Sequence, residues 1–299
     1  MPKVWFITGT SKGLGRALVE EILRSQDHKV VATARNTEAL QDLAKSYPDR
    51  LLALSVDVQN TASILRAVEG AIKHFSKIDI LVNNAGYGLV GAFEECSPEE
   101  LQNIFATNVF GLIETTRAVL PHFRKQKSGH ILNLSSIVGL VATPGLGAYN
   151  ATKFAVEGIS ESLALELAHF GIKVSIVEPG PFRTDFTGSS LQQAKPHPDY
   201  AASEATAFRH FLSKAHNQQA GDPVRAAQCM IALTQMASPP LRLLLGNDAV
   251  DRAYAKMHKQ MQEFKAHEAL ARSADYPDTQ QIPYPLKPIQ NGMVSKDSL

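Results

Sequence analysis

Cysteine is scarce. Cys96 and Cys229 are the only two in 299 residues, far apart and without metal-ligand spacing. A disulfide scaffold is excluded, no metal site is expected, and a reducing, intracellular setting fits best. Charge of one sign is lacking too. Lys and Arg total 30 against 29 Asp and Glu, a net charge of +1, so nothing argues for nucleic acid or an anionic membrane surface as a partner. No apolar stretch is long enough to span a bilayer. The early run "VWFI" goes straight into a glycine motif and does not read as a signal peptide, so the expected location is the cytoplasm. Internal repeats and low-complexity blocks are also missing. What remains is ordinary: 44% hydrophobic and 20% charged residues, in a chain long enough for one large α/β domain with a substantial core.

Short apolar runs alternate with helical patterns. "VWFIT" reads as a strand and is followed by a helix over 14–23; "KVVATAR" precedes "NTEALQDLAKSY", and "LLALSVDV" precedes "TASILRAVEGAIKHF". "IDILVNNAG" is a fourth strand, before one long helix over 96–123 with Ser97 as N-cap, Pro98 in its first turn, and Glu99 and Glu100 suiting its dipole. "GHILNLSS", a helix over 148–170, "IKVSIVEPG" and "LRLLLG" complete the series. Strands that are apolar throughout, separated by helices, imply an α/β fold. The expectation is a doubly wound parallel sheet of about seven strands with helices on both faces, in one domain over 1–275. The segment from 188 to about 222 is polar and weakly patterned, and 276–299, with Pro277, Pro283, Pro285 and Pro288, reads as a tail.

The stretch "TGTSKGLG" follows the first strand and opens a helix. In a doubly wound sheet that position is the dinucleotide crevice. Gly9, Gly13 and Gly15 remove side chains where backbone N–H groups and a helix N-terminus approach a pyrophosphate. The loop is T-G-x-x-x-G-x-G, and further motifs follow in order: "NNAG" at 83–86, "TNVFG" with Asn108, "LSS" with Ser136, "YNATK" with Tyr149 and Lys153, and "EPGPFRT" at 178–184. Together these resemble the short-chain dehydrogenase/reductase family in its classical branch, over about residues 3–245. "VEPGPFRTDF" and the long segment after it look most like the 17β-hydroxysteroid-dehydrogenase-like subgroup.

The resemblance implies a nicotinamide cofactor held by Gly9, Ser11, Lys12, Gly13, Leu14 and Gly15, by Arg35, Asp57 and Val58, by Asn84, Ala85 and Gly86, and by Pro179, Gly180, Phe182 and Thr184, with Tyr149 and Lys153 on its ribose side. Ala34 stands where the family's NAD users carry Asp, and Arg35 comes next. Arg35 and Lys12 are expected to bracket a 2′-phosphate, each contact contributing ~1.5–3 kcal/mol, which selects NADP(H). The implied catalytic set is Asn108, Ser136, Tyr149 and Lys153. Tyr149 and Lys153 share a helix face. An ammonium there is expected to lower the phenol's pKa from its ordinary ~10. Ser136 holds the substrate oxygen. Asn108 falls on the apolar stripe of Leu101, Ile104, Phe105 and Leu112, where a buried amide must find partners; in the family its equivalent holds a water that links the lysine to solvent.

The expected pocket wall is Tyr87, Leu89, Val138, Leu140, Pro144 and Phe186, around Ser136 and Tyr149. Its apolar character fits an uncharged ketone or secondary alcohol, such as a steroid, a retinoid or an aryl or alkyl ketone, in a carbonyl reductase or alcohol dehydrogenase. Two other readings stay open here: a ketoreductase on carrier-bound acyl chains, and a regulator that senses NADPH without chemistry. Family members pair through the helices carrying Asn108 and Tyr149. A homodimer or homotetramer is therefore expected, with Ala118, Leu120, Ile159, Leu163 and Leu167 on the outer faces.

Overall fold

The computed structural model describes residues 2–25 and 27–276. In chain order its elements are β1 (Val4–Thr8), α1 (Gly13–Ser25), β2 (Lys29–Ala34), α2 (Gln41–Ser46), β3 (Leu51–Ser55), α3 (Thr61–Phe75), β4 (Ile80–Asn83), β5 (Gly88–Val90), α4 (Pro98–Phe105), α5 (Gly111–Gln126), β6 (Gly129–Leu134), α6 (Gly147–Leu167), β7 (Ile172–Pro179), β8 (Leu191–Gln193), α7 (Glu204–Ala215), α8 (Pro223–Gln235), β9 (Arg242–Leu245) and α9 (Asn247–Arg272). Seven strands form one parallel sheet in the order β3-β2-β1-β4-β6-β7-β9. The chain winds outward from β1 to β3, then returns to β4 on the other side. The loops after β1 and β4 therefore face one crevice at the carboxyl edge.

The period-2 geometry of a strand explains why β1 is apolar at every position. Trp5 and Ile7 enter a core shared with Leu18, Ile22 and Met230 of α1 and α8. Val4 and Phe6 enter a second core with Ile64 and Phe75 of α3 and Phe123 of α5. Each such side chain, wholly removed from water, stabilises the fold by ~1.5–3 kcal/mol. A buried polar lattice ties the layers together: the Asn83 amide donates to Asn133 Oδ1 (2.8 Å) and Thr116 Oγ1 (2.9 Å), and the Asn133 amide donates to Ser160 Oγ (2.8 Å). It joins β4, β6, α5 and α6 just below the crevice. His130, on β6 beside Ser175, is pushed down to about 3 by burial and is a neutral core group.

α4 starts as its sequence dictates. Ser97 Oγ accepts from the Glu100 N–H, and Glu100 reaches back to the Ser97 N–H, which closes a capping box behind Pro98. The single long helix expected over 96–123 is interrupted, however. Residues Ala106–Phe110 form a π turn between α4 and α5, and Asn108 sits inside it. Immediately after it, Gly111 is pressed against Val58: a Cβ there would lie 2.8 Å from the Val58 side chain.

The weakly patterned segment is more ordered than its sequence suggests. β8 pairs with β5 as a separate two-stranded parallel sheet. α7 is capped by Ser203. A buried ion pair joins Arg209 of α7 to Glu95, whose other oxygen accepts the His197 N–H at 2.8 Å. The chain divides into two units, residues 1–256 and 257–299. The described part of the second is the end of α9, with Met257, Met261, Phe264 and Leu270 exposed. The expected tail lies outside the described residues beyond Tyr276. Among the described residues no helix is long and apolar enough to cross a membrane, and no group of three or more His, Cys, Asp or Glu could hold a metal ion.

Candidate active site

The glycine loop follows β1, and its glycines answer to different demands. Gly9 takes φ +69°, and a Cβ on it would lie 2.7 Å from Ala85 Cα. At Gly15 a Cβ would lie 2.4 Å from Asn84 Nδ2 and 2.5 Å from the Gly9 carbonyl oxygen. The Asn84 amide donates to the carbonyls of Thr8 (2.9 Å) and Gly9 (2.8 Å). These two glycines let the loop after β4 dock on the loop after β1. Gly13 differs. At φ +63° it meets only Thr184, 3.9 Å from an added Cβ, so the backbone there faces an open crevice. Leu14 packs into the first core, and Ser11 lines a cavity of about 340 Å³ with Arg35, Asn36, Glu38 and Ala39. An open glycine turn at a helix N-terminus, beside a cavity holding a guanidinium, fits a dinucleotide with its pyrophosphate at α1.

Lys12 does not stand beside Arg35 in that cavity. Its ammonium pairs with Asp185 at 3.1 Å and touches Ser189. Asp185, in the turn after β7, is held below the usual carboxylate range by hydrogen bonds from Ser189 and Lys12. Lys12 thus links the glycine loop to the segment before β8 through an ion pair whose two side chains are both exposed. Asp57 and Val58 lie past the end of β3. Asp57 Oδ1 accepts the Gln59 N–H at 3.0 Å, and Val58 packs on the second core. On the opposite wall, Gly180 abuts Ala249, Phe182 packs against the first core, and Thr184 Oγ1 accepts the Phe186 N–H.

Four elements deliver the remaining groups. Ser136 follows β6; its hydroxyl donates to the Pro179 carbonyl at 3.3 Å and lies within reach of the Tyr149 phenol. Tyr149 and Lys153 project from α6, with Lys153 Nζ 5.7 Å from the Tyr149 ring centre. The ammonium donates to the Leu134 carbonyl at 2.7 Å. Burial pushes Lys153 down to about 8, while Glu157 acts in the opposite direction. Tyr149 departs from the sequence expectation: burial drives its pKa upward, and the bond to Ser136 only offsets part of that. The side chain is buried but keeps 6% of its surface exposed, and its lysine neighbour is turned toward a backbone carbonyl. Such a tyrosine keeps its proton at neutral pH and is poised as an acid.

Asn108 is buried and satisfied. Its Oδ1 accepts the Tyr87 N–H (3.0 Å), and its Nδ2 donates to the Tyr87 carbonyl (2.9 Å) and to Thr152 Oγ1 (3.2 Å). Thr152 in turn donates to the Tyr149 carbonyl at 2.8 Å. Gly86 makes room, since a Cβ there would lie 3.0 Å from Asn108 Oδ1. The asparagine therefore links the loop after β4 to the backbone of Tyr149, a connection the sequence alone could not give.

Tyr87, Leu89, Val138, Leu140, Tyr149 and Phe186 belong to one apolar cluster, which Phe208 and Leu212 of α7 and Leu191 of β8 extend. Phe186 stacks at 5.5 Å from Tyr149. Pro144 is exposed and stands apart from the cluster. Of the residues expected on the outer helix faces, Leu167 is buried and Ala118, Leu120 and Leu163 pack on the second core; Phe110, Phe154 and Leu165 are the exposed apolar side chains there. Sequence reasoning missed Asp185, Ser189 and Thr152. Asp185 stood in the "RTDF" run, where an acid five residues past a Pro-Gly turn was a usable signal.

The profile of the short chain dehydrogenase family matches residues 3–195. Oxidoreductase BOA17 of Botryotinia fuckeliana is 40% identical over 254 residues, covering 85% of this chain and 92% of that protein. The crystal structure of a short-chain dehydrogenase from Streptomyces avermitilis superposes with TM-score 0.85 at 41% identity, over 91% of this chain and all (100%) of that one. A serine dehydrogenase solved in a closed form with NADP+ superposes with TM-score 0.70 at 28% identity, over 81% of this chain and 94% of that one.

Proposed function

The chain belongs to the short chain dehydrogenase family, and on that premise we propose that it is an NADP(H)-dependent oxidoreductase acting on the carbonyl or secondary alcohol of an apolar substrate. One observation carries the reading. Ser136, Tyr149 and Lys153 converge beside an apolar wall whose Phe186 lies two residues from Thr184, the neighbour of the open glycine turn. A nicotinamide cofactor held by the glycine turn and Arg35 would supply or accept the hydride. The protein does the rest. Ser136 and Tyr149 hydrogen-bond the substrate oxygen and fix the carbonyl in the crevice. Tyr149 gives its proton to that oxygen during reduction and recovers one from solvent afterwards. Lys153, held by the Leu134 carbonyl, stabilises the phenolate left behind. Alcohol oxidation uses the same groups in reverse. Asn108 positions Tyr149 through Thr152. The cluster of Tyr87, Val138, Leu140 and Phe186 excludes water and favours an uncharged ketone. The panel that tests this is NADPH oxidation with bulky and small apolar ketones; turnover of none of them would refute it.

Cofactor choice rests on Arg35 at the cavity and on Lys12, whose exposed ion pair with Asp185 is weak enough to be exchanged for a phosphate. A guanidinium at the cavity by Ser11 suits a 2′-phosphate, and one such contact contributes ~1.5–3 kcal/mol, about tenfold to a hundredfold in preference. Arg35→Asp should erase or reverse the preference for NADPH, read as kcat/KM for NADPH and NADH. Equal values in the unmodified enzyme would remove Arg35 from this role. Self-association belongs to the same proposal: Phe110 and Phe154 give the helices bearing Asn108 and Tyr149 an exposed apolar edge. A dimer or tetramer is expected by light scattering at micromolar concentration, and a monomer would refute it.

A further inference from the structure

Behind Lys153 lies a group of acids that the proposed reaction does not use. α6 carries Tyr149, Lys153, Glu157 and Glu161 at successive intervals of four, so they form one row along the helix. The first three are buried. Glu178, on β7 just before the Pro179 carbonyl that holds Ser136, is fully buried beside Glu157. Arg242, the first residue of β9, reaches over β7 to this pair. Its guanidinium lies 3.4 Å from Glu157 and 3.3 Å from Glu178 and also contacts the more exposed Glu161. Gly139 completes the enclosure. A Cβ there would sit 2.5 Å from Ser135 Oγ, 3.1 Å from the Lys153 carbonyl oxygen and 3.2 Å from Glu157 Oε1.

Two features set this group apart from an ordinary ion pair. First, Ser135 Oγ and the four carboxylate oxygens of the pair are buried without a well-formed hydrogen bond. A buried carboxylate held by an ion pair without well-aligned hydrogen bonds is costly, and such a cost at one place points to a functional demand. Second, two buried carboxylates in contact cannot both ionise freely, so the pair carries about one charge between them. Burial raises both, and Glu178 is pushed up to about 8 by burial and by Glu157, against the pull of Arg242. The charged groups facing one another are then Arg242 and Lys153 against Glu161 and one charge on the pair, which balances.

We propose that the Glu157–Glu178 pair, clamped by Arg242, is a positioning device that keeps Lys153 charged inside the protein. Burial alone disfavours the ammonium, and Glu157 is the carboxylate that opposes it. Glu178 holds the proton that leaves Glu157 ionised, and Arg242 orients both. The proposal rests on the role assigned above to Lys153, but its test does not need turnover.

The test is the pH titration of the Lys153 side chain by ¹³C NMR of lysine-labelled protein without cofactor, assigned with Lys153→Met. Glu157→Gln removes the charge beside Lys153, and its titration midpoint should fall by about one pH unit, the lower end of the effect of one neighbouring charge. Glu157→Asp keeps a charge beside Lys153 on a shorter side chain, and its midpoint should fall by less than that of Glu157→Gln. The alkaline limb of kcat/KM should move with the midpoint in each variant. An unmoved midpoint in Glu157→Gln, or an equally large fall in Glu157→Asp, overturns the proposal. Should Glu157→Gln fail to fold, Glu157→Leu, which leaves no polar atom to bury, replaces it with the same fall expected and the same unmoved midpoint overturning. A shifted midpoint in a protein that turns over no ketone would leave this proposal standing and refute the proposed reaction instead.

Discussion

Tyr149→Phe should yield a folded, cofactor-binding protein whose hydride transfer is slower by at least ~10²–10⁴-fold, the usual contribution of general acid catalysis. The ring is buried and packs 5.5 Å from Phe186, and both features survive the substitution. Only the hydroxyl is lost. The phenol's partner Ser136 retains its bond to the Pro179 carbonyl. Folding should therefore be close to normal. Cofactor binding should also survive, because it depends on the glycine turn and Arg35. Chemistry should not, because Ser136 cannot replace an acid and Lys153 is turned to the Leu134 carbonyl. Lys153→Ala should differ in kind, weakening cofactor binding together with catalysis. Single-turnover NADPH oxidation beside a binding titration separates the two variants. Near-normal turnover in Tyr149→Phe would take the tyrosine out of the mechanism.

The second large effect is expected at Gly15. An alanine methyl would fall 2.4 Å from Asn84 Nδ2 and 2.5 Å from the Gly9 carbonyl oxygen, closer than side chains tolerate. The obstacle is the amide that ties the two crevice loops together, flanked by backbone. Relief would require breaking that tie, so overpacking of ~1–3 kcal/mol adds to ~1 kcal/mol for each lost hydrogen bond. Gly15→Ala should therefore lose about 2–5 kcal/mol of stability in urea unfolding, with cofactor affinity falling as the loops part. Gly13→Ala makes the comparison sharp. Its methyl meets only Thr184, at 3.9 Å, so the cost is the left-handed backbone, ~1–2 kcal/mol. There the larger loss should be in cofactor affinity. Equal unfolding midpoints for Gly15→Ala and the unmodified protein would show that the loops do not depend on this packing.

Seven parallel strands could be read from the sequence because each is apolar at successive positions and is followed by a helix with its own stripe. The α4 cap was equally plain, since Ser97, Pro98 and Glu100 act locally. The site motifs marked their places by order along the chain. What escaped was whatever depended on distant partners. The ion pair of Lys12 was one such contact, since Asp185 lies 173 positions away. Tyr149 was expected to be an acidic phenol because Lys153 is four residues on; the degree of burial, which decides the direction, is a property of the packed cluster. β8 and α7 were lost in a polar segment because their order comes from β5 and from Glu95, more than a hundred positions upstream in the case of Arg209.

The π turn at Ala106–Phe110 also bears on how this protein could be engineered. A π turn is an α-helix with one residue too many, and it gives up regular hydrogen bonding to hold that residue. The obvious route to a hardier variant is to delete the surplus residue and restore an unbroken helix from α4 into α5. That repair would rotate everything on one side of the deletion by about a hundred degrees relative to the other. Asn108 would swing away from Tyr87 and Thr152, or Gly111 would lose its register with Val58. Gains in thermal tolerance sought in this stretch would come at the expense of the geometry around Tyr149. Stabilising substitutions belong instead at Gly70 on α3, where an added methyl meets only the Leu54 side chain, at an ordinary 3.6 Å.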